Sequence, residues 1–290
     1  MIKSNEFKDY ILLDAGDKEK LESWNGIILR RPDPMAIWPK TSPELWNNYD
    51  AFYHRSDKGG GSWEFKKRLR EYWTLEFRDL RFKVSPTNFK HTGLFPEQAA
   101  NWEFIYDMIK NDDREIKILN LFAYTGAATM VASKAGAKEV VHVDAAKGMV
   151  EWAKENMTLS HLEDNTIRFI VDDCLKFIKR ENRRGHKYHG IIMDPPSYGR
   201  GPNGEIFRFE DKINELLEEA IKILDDNPLF LIVNSYTTGY SSTALSNVMN
   251  AHMAKFANKG YVVSDELGIK IEGKEIYLPC GLTTRWIKND

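Results

Sequence analysis

Cysteine is scarce in this chain of 290 residues: Cys174 and Cys280 are the only two, at no metal-ligand spacing, so neither a disulfide framework nor a structural zinc is indicated. The seven histidines are scattered, and no metal site is expected. No apolar run approaches the roughly 20 residues that a membrane span needs. The start, Met1-Ile2-Lys3-Ser4-Asn5-Glu6, lacks the apolar core of a signal peptide, so a cytoplasmic protein with no membrane attachment is expected. An excess of charge is also missing. At net −2 the chain is not a general nucleic-acid adhesive, although a local basic face is compatible with that balance. No internal repeat or low-complexity tract occurs, and nothing in the sequence specifies an oligomeric state.

What is present suits a globular protein of one large domain, or one large and one small. The first part reads as short strands broken by turn residues: Tyr10 to Asp17, Trp24 to Arg30, then Trp73 to Glu76 and Leu80 to Val84 split by Arg78-Asp79. These predict a small β-rich N-terminal domain over residues 1–86. Over residues 87–290 the pattern becomes an alternation of strands and helices, which predicts an α/β domain with a doubly wound, mostly parallel sheet. Strands are expected at about 116–122, 139–143, 167–171, 190–194 and 229–234, and helices at about 97–110, 126–136, 146–158, 173–180 and 209–225. Two further strands are expected around 259–264 and 276–287.

The densest information lies at the expected strand ends. An apolar strand runs into Asn120-Leu121-Phe122-Ala123-Tyr124-Thr125-Gly126-Ala127-Ala128, and a second strand, Val140-Val141-His142-Val143, closes on Asp144. This is half of a nucleotide-binding unit. A pyrophosphate-binding turn needs three glycines, and only Gly126 is present, which disfavours a nicotinamide dinucleotide. A nucleoside with a short charged tail fits better. Asp144 is placed to accept both hydrogen bonds of a ribose diol, and the first amides of the next helix can face a carboxylate. S-adenosylmethionine has that shape.

With Asp194-Pro195-Pro196-Ser197-Tyr198 these segments resemble the class I S-adenosylmethionine-dependent methyltransferases, in particular the ribosomal-RNA large-subunit methyltransferase-like group. The likeness extends to His54-Arg55-Ser56-Asp57-Lys58-Gly59-Gly60-Gly61 and to His91-Thr92-Gly93-Leu94-Phe95-Pro96-Glu97-Gln98, so it covers nearly the whole chain. It implies a Rossmann-like class I methyltransferase sheet ending in an antiparallel C-terminal hairpin, with S-adenosyl-L-methionine as cofactor and RNA, ribosomal RNA first, as partner. Phe122, Ala123, Tyr124, Thr125, Gly126 and Asp144 then contact the cofactor. Asp173 accepts from the adenine amino group, and Phe95 and Gln98 cover the methionine end.

Each assignment has a plainer competitor. Asp144 or Asp173 can serve as a helix N-cap, and Pro96 can simply open a helix. Asp194-Pro195-Pro196 can be a rigid strand-to-loop turn. As a catalytic group, Asp194 orients the acceptor or takes its proton, Pro195 and Pro196 fix the turn, and Tyr198 stacks on an extruded base. Amino-group methyltransferases of this kind usually carry an aromatic at the position of Ser197. Here the aromatic follows at Tyr198, which leaves the methylated atom open.

Methylation at carbon 5 of a pyrimidine would need a thiol nucleophile, for which Cys280 competes with the reading of a small core residue. Cys174, beside two aspartates, is a poor nucleophile. Two basic runs, Lys66-Lys67-Arg68-Leu69-Arg70 and Lys179 to Lys187, read as solvated surface or as RNA-contacting patches. The glycine triplet reads as a linker or as a loop whose Arg55 and Lys58 reach phosphates. Beyond the RNA enzyme, the alternatives are a methyltransferase for a small molecule or protein side chain and a catalytically silent S-adenosylmethionine-binding module.

Overall fold

A computed structural model describes residues 1–4, 6–56, 60–87, 90–200 and 206–289. They divide into two compact units, one formed by residues 2–100 with 267–280, the other by residue 1 with 101–266 and 281–290. The division runs near residue 100 instead of 86, and a late segment belongs to the first unit. Backbone bridges explain why: Ile2 pairs with Leu267 and Leu12 with Ile271.

In the first unit, β1 (Tyr10–Gly16), β2 (Glu19–Trp24), β3 (Ile27–Pro32), β4 (Ala51–Arg55) and β5 (Gly61–Phe65) form one sheet in chain order. A separate hairpin joins β6 (Trp73–Phe77) to β7 (Leu80–Val84). Three hairpins turn on residue pairs with positive φ at both positions: Asp17 and Lys18, Asn25 and Gly26, Arg78 and Asp79. Such pairs match the twist of the flanking strands. The strand expected from Trp24 to Arg30 is therefore broken by the Asn25-Gly26 turn, a signal that the apolar flanks obscured.

The crossover between the parallel neighbours β3 and β4 is held by buried Asp14, which accepts from the amides of Thr41 (3.0 Å) and Ser42 (2.8 Å) and from the Trp46 indole (2.8 Å). The glycine-rich segment is not a linker between domains, because its flanks pair as the β4–β5 hairpin, with Arg55 opposite Gly61. Asp57, Lys58 and Gly59 lie outside the described residues, as does Phe89.

The second unit opens within α1 (Ala99–Lys110), at Asn101, and continues through β8 (Lys117–Leu121), α2 (Ala127–Lys134), β9 (Glu139–Asp144), α3 (Lys147–Leu159), β10 (Ile167–Val171), α4 (Cys174–Arg183) and β11 (Gly190–Met193). Then come a small hairpin of β12 (Tyr198–Arg200) and β13 (Ile206–Arg208), α5 (Phe209–Lys222), β14 (Phe230–Ser235), α6 (Ser242–His252), β15 (Gly260–Lys270) and β16 (Tyr277–Lys288). The main sheet has the order β10-β9-β8-β11-β14-β16-β15. Its first five strands are parallel and β16 runs antiparallel to β14.

The inner strands β8, β11 and β14 are buried on consecutive residues, as a sheet covered on both faces requires. Leu119, Val141, Ile191 and Leu231 pack with Phe177, Phe209 and Leu216 from the helices. Two elements escaped the sequence pattern. The β12–β13 hairpin is too short to alternate. Helix α6 does carry signals, a Ser241 cap accepting from Ala244 N (3.2 Å) and apolar Leu245 and Met249 at helical spacing.

Candidate active site at the strand ends

The chain passes from β8 outward through β9 to β10, then returns to place β11 on the other flank of β8. That reversal opens a crevice beyond the carboxyl ends of β8 and β11, where open α/β sheets take ligands. The loop after β8 and the Asp-Pro-Pro segment after β11 both begin there.

The loop is conformationally costly. Phe122 and Tyr124 have φ of +54° and +52°, and Gly126 has +83°. Two non-glycine residues in the left-handed region within three positions mark strain that the surroundings must hold. They do so through the amide of Phe122 to Cys174 Sγ (3.2 Å), that of Ala123 to Val143 O (3.1 Å) and that of Tyr124 to Asp144 Oδ2 (2.8 Å). Asn156 Nδ2 donates to Thr125 O at 2.8 Å. Phe122 also departs from the expected strand for this reason, since its φ cannot continue β8. A Cβ on Gly126 would meet Ala153 Cβ at 2.9 Å and Met130 Cε at 3.3 Å. The glycine is thus needed for its φ and for packing against α3, a different reason from ligand approach.

Asp144 closes β9, half-buried, with Oδ2 bonded to Tyr124 N and Oδ1 to Ala146 N (2.8 Å). It does not cap α3, whose first flanking residue is Ala146 with no side-chain cap. Burial lifts its carboxyl above the ordinary value, against the pull of the Ala146 and Tyr124 amides. A carboxylate has about four lone-pair sites, so each oxygen keeps one beyond these two bonds.

Asp173 caps α4, accepting from Lys176 N at 2.8 Å, and Asp172 pairs with Arg180. Both stand at the end of β10. Cys174 follows as the first residue of α4, buried and donating to Val143 O. Its thiol is pushed well up by burial first, with Asp144, Asp173 and Asp172 adding to it. It is inert, more through burial than through the neighbouring aspartates.

After β11, Asp194 is half-buried, Pro195 buried and Pro196 exposed. Ser197 ties the segment down: its carbonyl accepts from Phe209 N (3.1 Å) and its hydroxyl from Thr237 Oγ1 (3.0 Å). Tyr198 opens β12 with its side chain 52% exposed, free to offer a ring face. The two motifs are linked through Phe122 and Phe207 of β13, whose rings meet edge-on at 5.6 Å.

Asp144, Asp173, the 122–126 loop and Asp194 to Tyr198 are therefore gathered at one edge of one sheet. Phe95 and Gln98 belong to the other compact unit, at the short turn Pro96–Gln98, and so does Cys280. One group went unread in the sequence. Asn234 and Ser235 end the otherwise apolar β14, next to β11, and Asn101 joins Asn234 (3.0 Å) to Arg285 (2.8 Å). The signal was a polar pair closing an apolar strand. Among the described residues no cluster of three or more His, Cys, Asp or Glu is arranged to hold a metal, and no helix is long and apolar enough to cross a membrane.

Comparison with known proteins identifies the family. The family model described as S-adenosylmethionine-dependent methyltransferase matches residues 51–224. The chain is 34% identical over 216 residues to a ribosomal RNA large subunit methyltransferase K/L of Shewanella frigidimarina, covering 72% of this chain and 28% of the relative. Its counterpart in Shewanella woodyi is 31% identical over 245 residues, covering 80% and 32%. The chain thus spans less than a third of the length of these relatives. A crystal structure of a SAM-dependent methyltransferase from Agrobacterium tumefaciens superposes with a TM-score of 0.94 at 38% identity, covering 99% of this chain and 93% of that one. A structure of SMU.776 complexed with SAH shares the fold at 17% identity and a TM-score of 0.76, with 98% and 76% covered.

Proposed function

We propose, from the premise that this chain belongs to the S-adenosylmethionine-dependent methyltransferase family, that its methyl acceptor is a base in RNA, ribosomal RNA first. The observation that carries the reading is the segment Asp194 to Tyr198. A strand-end carboxylate held by two prolines stands beside an exposed aromatic ring, on the flank of the crevice opposite Asp144. Such a rigid acceptor with a stacking platform suits a planar base taken out of its stack. The names carried by the Shewanella relatives support the RNA assignment.

The residues present fit the cofactor. Asp144 has a lone pair on each oxygen for the ribose diol, Asp173 stands at the end of the next strand for the adenine amino group, and the strained loop Phe122 to Gly126 borders the crevice. The bound sulfonium supplies an activated methyl group, so the protein's task is alignment, a proximity effect worth about 7–11 kcal/mol. Pro195 and Pro196 hold the turn, Asp194 orients the acceptor or receives its proton, and Tyr198 fixes the base plane.

The test is transfer of labelled methyl from S-adenosylmethionine into cell extract, followed by ribonuclease or protease digestion. Label in RNA, lowered about 100-fold or more in Asp194→Ala while cofactor binding persists, is expected. Label that survives ribonuclease would redirect the assignment to a protein or a metabolite.

A further inference from the structure

We propose that the strap between β5 and β6 is a docking track for single-stranded RNA, with Arg68 and Arg70 on the phosphates and Tyr72 under a base. The inference rests on the RNA reading above and extends it to a surface of the first compact unit.

A cleft of about 780 Å³ lies along this strap, floored by Ile27 and Trp73 and walled by Arg68, Arg70 and Tyr72. That volume is within the range of about 300–1,000 Å³ typical of ligand sites. The strap runs through four cations, Lys66, Lys67, Arg68 and Arg70, and they are not equivalent. Lys66 is committed to Asn47 O (2.9 Å) and to the Tyr49 ring (3.7 Å), and Lys67 to Asp50 (2.7 Å). Arg68 and Arg70 are exposed, border the cleft and form no ion pair among the described residues. The one carboxylate in the lining is Glu71, so the cleft remains net positive.

The end of the strap, from Glu71 to Thr74, is tied to its neighbours. Ser85 Oγ donates to Glu71 O (2.7 Å), Trp73 Nε1 to Trp24 O (2.9 Å) and Asn25 Nδ2 to Thr74 O (3.1 Å). Tyr72 is 44% exposed, and Lys83 Nζ stands over one face of its ring, 5.0 Å from the centre. Guanidinium groups match phosphate in shape and hydrogen-bond count. Paired with an aromatic platform they are the parts of a sequence-tolerant single-strand groove.

The experiment measures affinity of the full chain for a single-stranded oligoribonucleotide against salt, alongside methyl transfer to RNA by the same preparation. Each phosphate contact contributes about 0.7 to the slope of log K on log salt, so Arg68→Ala with Arg70→Ala is expected to flatten that slope by about 1.4. Tyr72→Ala is expected to weaken binding about 5- to 150-fold, with Tyr72→Phe close to wild type. The side chains are exposed, so thermal midpoints and cofactor affinity should not move, which separates lost contacts from lost folding. If wild type methylates RNA while the arginine variant keeps its salt slope, the track is wrong and the function stands. If wild type places no label in RNA, the functional reading itself fails. Polyglutamate competing as well as the oligonucleotide would overturn the assignment to RNA.

Discussion

Replacing Asp144 by asparagine separates a ligand role from a structural one, because the two predict opposite readouts. The carboxylate already accepts from Tyr124 N and Ala146 N, and its remaining lone pairs are those assigned to the ribose diol. Asparagine keeps one acceptor and loses one, together with the charge. A hydrogen bond to a charged group contributes about 1.5–3 kcal/mol, so affinity for S-adenosylhomocysteine by calorimetry should fall about 10- to 150-fold.

The apoprotein should behave differently. Burial raises the folded-state pKa of Asp144 above 3.8, so the native chain holds this proton more tightly than the unfolded chain. Ionising it costs stability as pH rises through that window, and at neutral pH the asparagine removes the cost. The amide of Ala146, at an exposed position, can turn to water. The thermal midpoint without cofactor should therefore stay within about 4 °C of wild type. Unchanged affinity would refute the ribose assignment. A collapsed midpoint would instead mean that the loop needs both acceptors of Asp144, and the affinity loss could then not be assigned to the ribose diol.

Gly126→Ala should destabilise by about 1–3 kcal/mol in denaturant unfolding, from the positive φ and the 2.9 Å approach to Ala153 Cβ; a neutral result would mean that α3 yields easily. Cys280→Ala should retain methyl transfer within about twofold, since burial pushes this thiol well up and it lies outside the strand-end group; loss of turnover with normal folding would revive a covalent route. His142, buried against Thr129 (3.0 Å), has its pKa lowered to about 3 by burial. Its contribution is complete above the ordinary 6.5 and is lost as pH falls toward 3, at up to about 1.4 kcal/mol per unit, so the acid limb of the stability profile should be shallower in His142→Gln.

The residues of the second unit made most of its fold legible in advance. Apolar runs such as Ile191 to Met193 and Phe230 to Val233 require burial on both faces, which parallel strands under crossover helices provide. The strand-end motifs named the cofactor class because a loop with a single glycine followed by an acid at the next strand end suits a nucleoside with a short charged tail and no pyrophosphate. Local chemistry also suffices for the Arg78-Asp79 hairpin, whereas the apolar neighbours of Asn25-Gly26 mask the same turn signal.

Other features depended on contacts between residues far apart in sequence. Nothing local tells whether Asp144 caps its helix or bonds back to Tyr124, or that Gly126 is required by Ala153 of a different helix. The same holds for residues 267–280, whose backbone bridges to Ile2 and Leu12 draw them into the first unit. It holds again for the four cations of the strap, of which tertiary partners engage two and leave two facing the cleft. Periodicity and turn chemistry act over a few residues and fix the elements and their buried faces. Which polar groups remain available to a ligand is decided by pairing across the folded chain.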